Sequence, residues 1–149
     1  RHRLPQLTTK EPQPLDVGRE ACAHCRMTVS QSEFAGQLIV SGEVPLFFDD
    51  LGCLAAYLAG ADPGSSTDEA GPLHAVYVMD HSSKTWLPAA SAVFGRVSTL
   101  STPMGSHLVA HASPAAKDAD TDMTGWTPAT LDDVVPPRWR TSAPPEGRQ

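Results

Sequence analysis

Ala35-Gly36-Gln37-Leu38-Ile39-Val40, followed by Val44-Pro45-Leu46-Phe47-Phe48 and then Asp49-Asp50-Leu51-Gly52-Cys53-Leu54-Ala55-Ala56-Tyr57-Leu58-Ala59-Gly60, decides the fold. The first two runs are rich in branched and aromatic side chains and are separated by Ser41-Gly42-Glu43, a turn composition, so they predict two strands. Pro45 has no amide proton to give to a ladder and places the start of the second strand at a sheet edge. Asp49-Asp50 offers a helix N-cap, because a short carboxylate accepts from the free amides of a first turn. Leu51, Leu54, Ala55 and Leu58 then recur at one face of a helix, which Gly60 is placed to stop. Strand, strand, helix is the first unit.

Downstream the same vocabulary returns. His74–Met79 alternates as a strand, Ser82-Ser83-Lys84 turns, and Thr85-Trp86-Leu87 leads to an interruption at Pro88. Val93–Val97 and Leu108–Ala112 predict further strands, separated by a polar loop over Ser98–Gly105. Ser113 as N-cap with Pro114 at the first helical position opens a helix to about Asp120. Residues 126–135 read as a last strand or turn. The second half again runs strands and then helix, with an added strand, so the expectation is an α+β fold, built as two small strand-strand-helix units with a sheet each or around one shared sheet. Its segments are a flexible lead over 1–18, a first unit over 19–62, a linker over 63–72, a second unit over 73–135 and a tail over 136–149.

A chain of 149 residues is large enough for a core, while 14 prolines and 11 glycines suggest extended loops and tails. The net charge of −6, with no basic cluster, argues against nucleic acid or anionic lipid as a partner. No apolar run approaches the roughly 20 residues that cross a bilayer. The chain opens at Arg1, so either an export signal or anchor has been removed or this is the soluble part of a longer chain.

The chemistry concentrates in Cys22-Ala23-His24-Cys25-Arg26-Met27, two thiols, an imidazole and a thioether within six residues. A second exposed-looking thioether stands in the turn Thr102-Pro103-Met104-Gly105, with His107 and His111 following. Thiolate and thioether together select Cu(I) over hard cations, so the residues point to a protein that binds and hands over Cu(I). Other readings compete. Arg26 stands where c-type haem attachment requires histidine. A zinc ribbon needs a second cysteine pair, and only Cys53 remains, which reads as a buried small hydrophobe beside its helix stripe. A thiol–disulfide oxidoreductase would open a long amphipathic helix after Cys25, and Arg26–Ser30 shows no such stripe. A structural Cys22–Cys25 bridge is the plain alternative. His24, lying between the cysteines, is awkwardly placed to coordinate with them. Met79 and Met123 read as core. Paired Asp49-Asp50 is explained by capping, and no nucleophile or phosphate-binding pattern occurs, so catalysis is not indicated.

Several blocks come in an order that resembles the NosL family. They are Cys22-x-x-Cys25-x-Met27, Phe48-Asp49-Asp50-Leu51-Gly52-Cys53, Tyr77-Val78-Met79-Asp80, Trp86-Leu87-Pro88-Ala89-Ala90, Thr102-Pro103-Met104-Gly105 and a strand ending at Ser113-Pro114. The likeness covers roughly Arg19 to Val135. It implies two small α+β units akin to part of organomercurial lyase. It also implies an exported bacterial, lipid-anchored copper chaperone that binds Cu(I) and serves nitrous oxide reductase as client, with an upstream copper donor. Carried over by position, the ligands fall on Cys25 or Cys22 and on Met104, and Met27 matches the methionine of its block. Many members have glycine where this chain has Arg26, which bears on the shape of that loop. The expected site therefore has Cys25 as anchor, Cys22 or Met27 as second ligand and Met104 closing from afar. His107 or His24 is an additional or exchanging ligand.

Overall fold

The structure is a computed structural model that describes residues 11–40, 43–61, 67–68, 71–72 and 74–140. Its strands and helices are β1 (Gly36–Val40), β2 (Leu46–Phe48), α1 (Leu51–Gly60), β3 (Thr67–Asp68), β4 (Gly71–Pro72), β5 (His74–Met79) and β6 (Trp86–Pro88). These are followed by β7 (Val93–Val97), β8 (Leu108–His111), α2 (Pro114–Ala119) and β9 (Trp126–Ala129). All pairings between these strands are antiparallel, in a four-stranded sheet ordered β2-β1-β5-β6, a three-stranded sheet ordered β8-β7-β9 and the small β3-β4 ribbon. The fold is α+β, as the alternation of apolar residues predicts.

The two sheets do not follow the chain division expected from sequence. β5 and β6, assigned to the second unit, complete the sheet begun by β1 and β2: Gly36 faces Val78 and Val40 faces His74. A lone strand-strand-helix unit leaves one edge of β1 unpaired, and β5 supplies the missing ladder. The sheets meet where Asp80 bridges Ala110, with the His81 amide donating to the Ala110 carbonyl at 2.8 Å. One core crosses both: Leu38, Phe48, Leu51, Leu54, Leu58 and Val78 pack with Phe94, Leu108, Val134 and Trp139. Met79 and Met123 are buried, as expected.

Both expected termini are more structured than composition suggests. In the lead, Gln13 exchanges two hydrogen bonds with the buried side chain of Gln37 on β1, at 2.7 and 3.1 Å. The beginning of the expected tail is part of the core. Trp139 is buried and its indole donates to the Leu58 carbonyl at 2.7 Å, while the Arg138 guanidinium donates to the same carbonyl at 2.9 Å. The last turn of α1 contains no basic residue of its own, so these side chains satisfy carbonyls that a helix end leaves free. Residues 1–10 and 141–149, and most of the expected linker, lie outside the described residues. Among the described residues no helix is long and apolar enough to cross a membrane.

Candidate metal centre

Residues 20–29 form a tight hairpin laid along the outer edge of β2. Ala21 pairs with Thr28, Cys22 bridges Phe47, and the Ala23 amide donates to the Phe47 carbonyl at 2.8 Å. The turn closes through Arg26 N–H to Cys22 C=O at 2.9 Å and Cys22 N–H to Met27 C=O at 2.8 Å. Arg26 takes φ +72°, the left-handed conformation that glycine adopts freely and a side-chain-bearing residue adopts at a cost. The turn accommodates arginine at this position by accepting that strain.

β2 then ends at Phe48 and delivers Asp49 and Asp50 to the start of α1, where their side chains part. Asp50 is the N-cap and accepts from the Gly52 amide at 2.6 Å. Asp49 turns toward the hairpin, and its Oδ1 accepts from the Cys25 thiol at 3.5 Å. The first turn of α1 carries Cys53. One ligand atom from each of Cys22, Cys25, Asp49 and Cys53 lies within 4.8 Å of every other, and all three thiols are free. Cys22 and Cys53 are buried and Cys25 is half-buried. Burial pushes the Cys25 thiol up from its ordinary range, as do Cys22 and Asp49, while the Met27 amide donating to its sulfur works the other way. Burial raises Cys53 far more, reinforced by Cys22 and Cys25. Thiols that close together cannot all ionise without a cation, and a cation that enters displaces their protons.

Cys53 adds to the cluster a thiol that the sequence reading had set aside. It is buried, as a small hydrophobe would be, yet its sulfur faces the other two. Its spacing from the Cys22–Cys25 pair gave no hint, because the juxtaposition depends on β2 bringing the helix start back beside the hairpin. Asp49 was missed for the same reason. The structural Cys22–Cys25 bridge is not present.

The expected outer ligands are distributed unevenly. Met27 and Met104 are exposed at 58% and 49%, unusual for methionine, which ordinarily fills core gaps. Met104 sits in a loop seated on the first turn of α1. Its amide donates to Asp50 Oδ2 at 2.8 Å, and the Ser106 hydroxyl makes a short hydrogen bond to Asp50 Oδ1. A Cβ on Gly52 would come within 2.6 Å of Ser106 Cβ, so only glycine lets the loop lie that close. His24 is exposed and outside the cluster. His107 also stands outside it, its Nδ1 engaged by the Leu100 carbonyl at 2.8 Å. His107 takes φ +64° ahead of β8, and His111 is buried with Asp120.

A small α+β scaffold thus gathers three thiols, two buried and one half-buried, and a carboxylate into one cluster, a donor set whose sulfurs suit a soft metal ion. The NosL family model matches residues 14–136, and this chain belongs to the NosL family. Its fold is similar to the crystal structure of the copper chaperone NosL from Shewanella denitrificans, with a TM-score of 0.58 and 22% identity over 81% of this chain and 91% of that one. No curated protein matches the chain.

Proposed function

We propose that the protein is a Cu(I) chaperone. The observation that carries this reading is the meeting of Cys22, Cys25 and Cys53 beside the exposed Met27 and the Asp50-held Met104 loop. Family membership and the copper chaperone of similar fold support it. Copper is cargo here, so the site has to bind and also release. Thiolates supply affinity, and thioethers at the surface supply weaker soft ligands that an incoming acceptor can displace. Ligand exchange then passes the ion outward from buried sulfur to exposed sulfur to the acceptor. Cys25, the most accessible thiol, is the anchor, and Cys22 and Cys53 lie behind it. In this reading the protein exchanges coordinate bonds to copper and the protons of its thiols, and it is not an enzyme.

The acceptor in this reading is an extracytoplasmic copper enzyme, with nitrous oxide reductase as the client. The chain works on the outer face of a bacterial membrane, held there by an anchor, and receives copper from an upstream donor. The test is anaerobic titration of the reduced protein with Cu(I) against a chromogenic chelator, with X-ray absorption counting sulfur ligands. One tight equivalent in a sulfur-rich shell is expected, weakened by Cys25→Ser and by Met104→Ala. Unchanged affinity and exchange rate in Met104→Ala would remove Met104 from the site. A tight equivalent of Zn2+ that Cu(I) does not displace would replace the chaperone reading with a structural zinc site. Transfer is then followed from loaded protein to apo nitrous oxide reductase.

A further inference from the structure

At the seam between the two sheets lies a second cluster of donors with a different chemistry. His81 follows the end of β5, and Asp120 and Asp122 follow α2. One ligand atom from each of the three lies within 4.8 Å of the others. His81 Nε2 stands 3.3 Å from Asp122 Oδ2, and His111 Nε2 stands 2.9 Å from Asp120 Oδ2. The side chains of His81, His111 and Asp120 are 6%, 0% and 7% exposed, whereas Asp122 is 60% exposed. The group is therefore a buried polar nest with one carboxylate at the solvent mouth.

Three observations set it apart from an ordinary pair of His–Asp contacts. Among the described residues the ion pairs of Asp120 and Asp122 are with imidazoles alone, and an imidazole carries charge only when protonated. Lys117, on the neighbouring helix, is engaged by Asp118 at 2.7 Å and by the Trp126 ring. Next, the second nitrogen of both His81 and His111 is buried without a hydrogen-bond partner, so the hydrogen bonds account for only half of each ring. Finally, the frame is fixed on both sides. The His81 amide is held by the Ala110 carbonyl at 2.8 Å, and Asp120 Oδ1 accepts from the Asp122 amide at 3.0 Å, which folds Asp122 back toward His81.

We propose that His81, Asp120 and Asp122 form a second metal site, for a divalent first-row cation, with His111 as a positioning residue for Asp120. One imidazole and two carboxylates are a nitrogen–oxygen set that suits Zn2+ or its relatives and leaves coordination positions for water. A tetrahedral site with bonds of about 2.0–2.1 Å has ligands roughly 3.3 Å apart, which the His81–Asp122 pair meets without rearrangement. The cation takes the place of the proton between His81 Nε2 and Asp122, that proton passing to the unpartnered His81 Nδ1, and it answers the charge of two carboxylates. His111 holds Asp120 as a metal-binding carboxylate is commonly held by a second hydrogen bond. The two centres sort ions by softness: sulfur takes Cu(I), and this nest takes a hard or borderline cation.

The test uses Co2+ on protein already loaded with one equivalent of Cu(I), so that the thiols are occupied. A further equivalent of Co2+ is expected to bind with weak visible d–d bands and none of the intense near-ultraviolet absorption of thiolate-bound cobalt. Asp122→Asn, a surface change, is expected to weaken it by roughly tenfold or more, with Cu(I) binding unaltered. Asp122→Glu is expected to restore part of the affinity, and His111→Gln to weaken Co2+ while leaving the same bands. No retained Co2+, a thiolate band, or an Asp122→Asn variant that binds as tightly as wild type would each overturn the proposal. Because Cu(I) occupancy is read separately, failure here is distinct from failure of the copper reading.

Discussion

The carboxylate of Asp50 accepts a hydrogen bond from the backbone amide of Met104, 54 residues away, at 2.8 Å, while it caps α1 through Gly52. Its neighbour Asp49 meets the Cys25 thiol. Two adjacent aspartates therefore link the thiol cluster to the methionine loop, one from each side of the chain. Asp50→Ala is expected to cost about 2–3 kcal/mol, through a lost cap and an unpaired Met104 amide. Hydrogen exchange at residues 102–107 should rise more than at β5, and Cu(I) release should quicken. Exchange rising equally everywhere would mean that Asp50 acts only on the global fold.

Gly52→Ala tests the same coupling by steric means. The methyl group has no room against Ser106, so the loop must lift from the helix start. The expected result is intact thiol coordination by X-ray absorption with loss of the Met104 contribution. The methyl group also comes within 3.1 Å of the capping Asp50 Oδ1, so the first turn adjusts, while helix content by circular dichroism should hold because the rest of α1 is unchanged.

The thiols make copper affinity a proton counter. With Cys25 and Cys53 raised above their usual range, both are protonated at neutral pH, and each one that binds copper releases a proton. Apparent affinity is expected to rise by about tenfold per pH unit for each thiolate bound, between about pH 6 and 8. The slope measured by chelator competition thus gives the number of cysteines in the shell.

The same shifts fix how the apo protein responds to alkali. A group whose folded pKa is raised holds its proton in the native state after the unfolded chain has released it. Its contribution to stability is present below the unfolded thiol pKa, about 8.5, and is lost as pH rises beyond it. Denaturant melts of apo protein should weaken above that pH, and the copper-loaded protein should be far less sensitive.

Trp139→Ala is expected to cost about 3–5 kcal/mol, because it empties a core position and removes the indole hydrogen bond to the Leu58 carbonyl, leaving that carbonyl to Arg138. Shortening the chain to Val135 should be at least as damaging. Urea unfolding measures both, and a truncated protein with wild-type stability would contradict the packing described for residues 137–140.

Much of this architecture is legible in the chain because period and punctuation agree. Leu51, Leu54 and Leu58 mark the buried stripe of α1, and Ser113-Pro114 marks the start of α2, where the Ser113 hydroxyl accepts from the Ala116 amide at 3.1 Å. Which strand pairs with which is not local. Nothing in residues 35–60 says that His74–Met79 will lie against β1, so sequence leaves separate sheets and a shared sheet equally open, and the pairing of β1 with β5 decides between them. The site divides the same way. Cys22, Cys25, Met27 and Met104 announce themselves by residue type and by turn composition. Cys53 hides, because apolar burial and sulfur ligation place the same residue at the same helix position. Arg138 and Trp139 hide for a related reason: a proline-rich ending looks like solvent-borne chain until a helix terminus is found that needs its donors.

The hairpin of residues 20–29 rests along the outer edge of β2, with Cys22 bridged to Phe47. An uncovered strand edge is a template for joining sheets of neighbouring molecules, and β2 is short and apolar, with Leu46, Phe47 and Phe48 in sequence. The segment that carries two of the three cysteines is therefore also a guard against self-association. Changes that unseat the hairpin, unlike single thiol replacements, should drive the protein into aggregates. Oxidative damage to those sulfurs would then threaten solubility along with metal traffic.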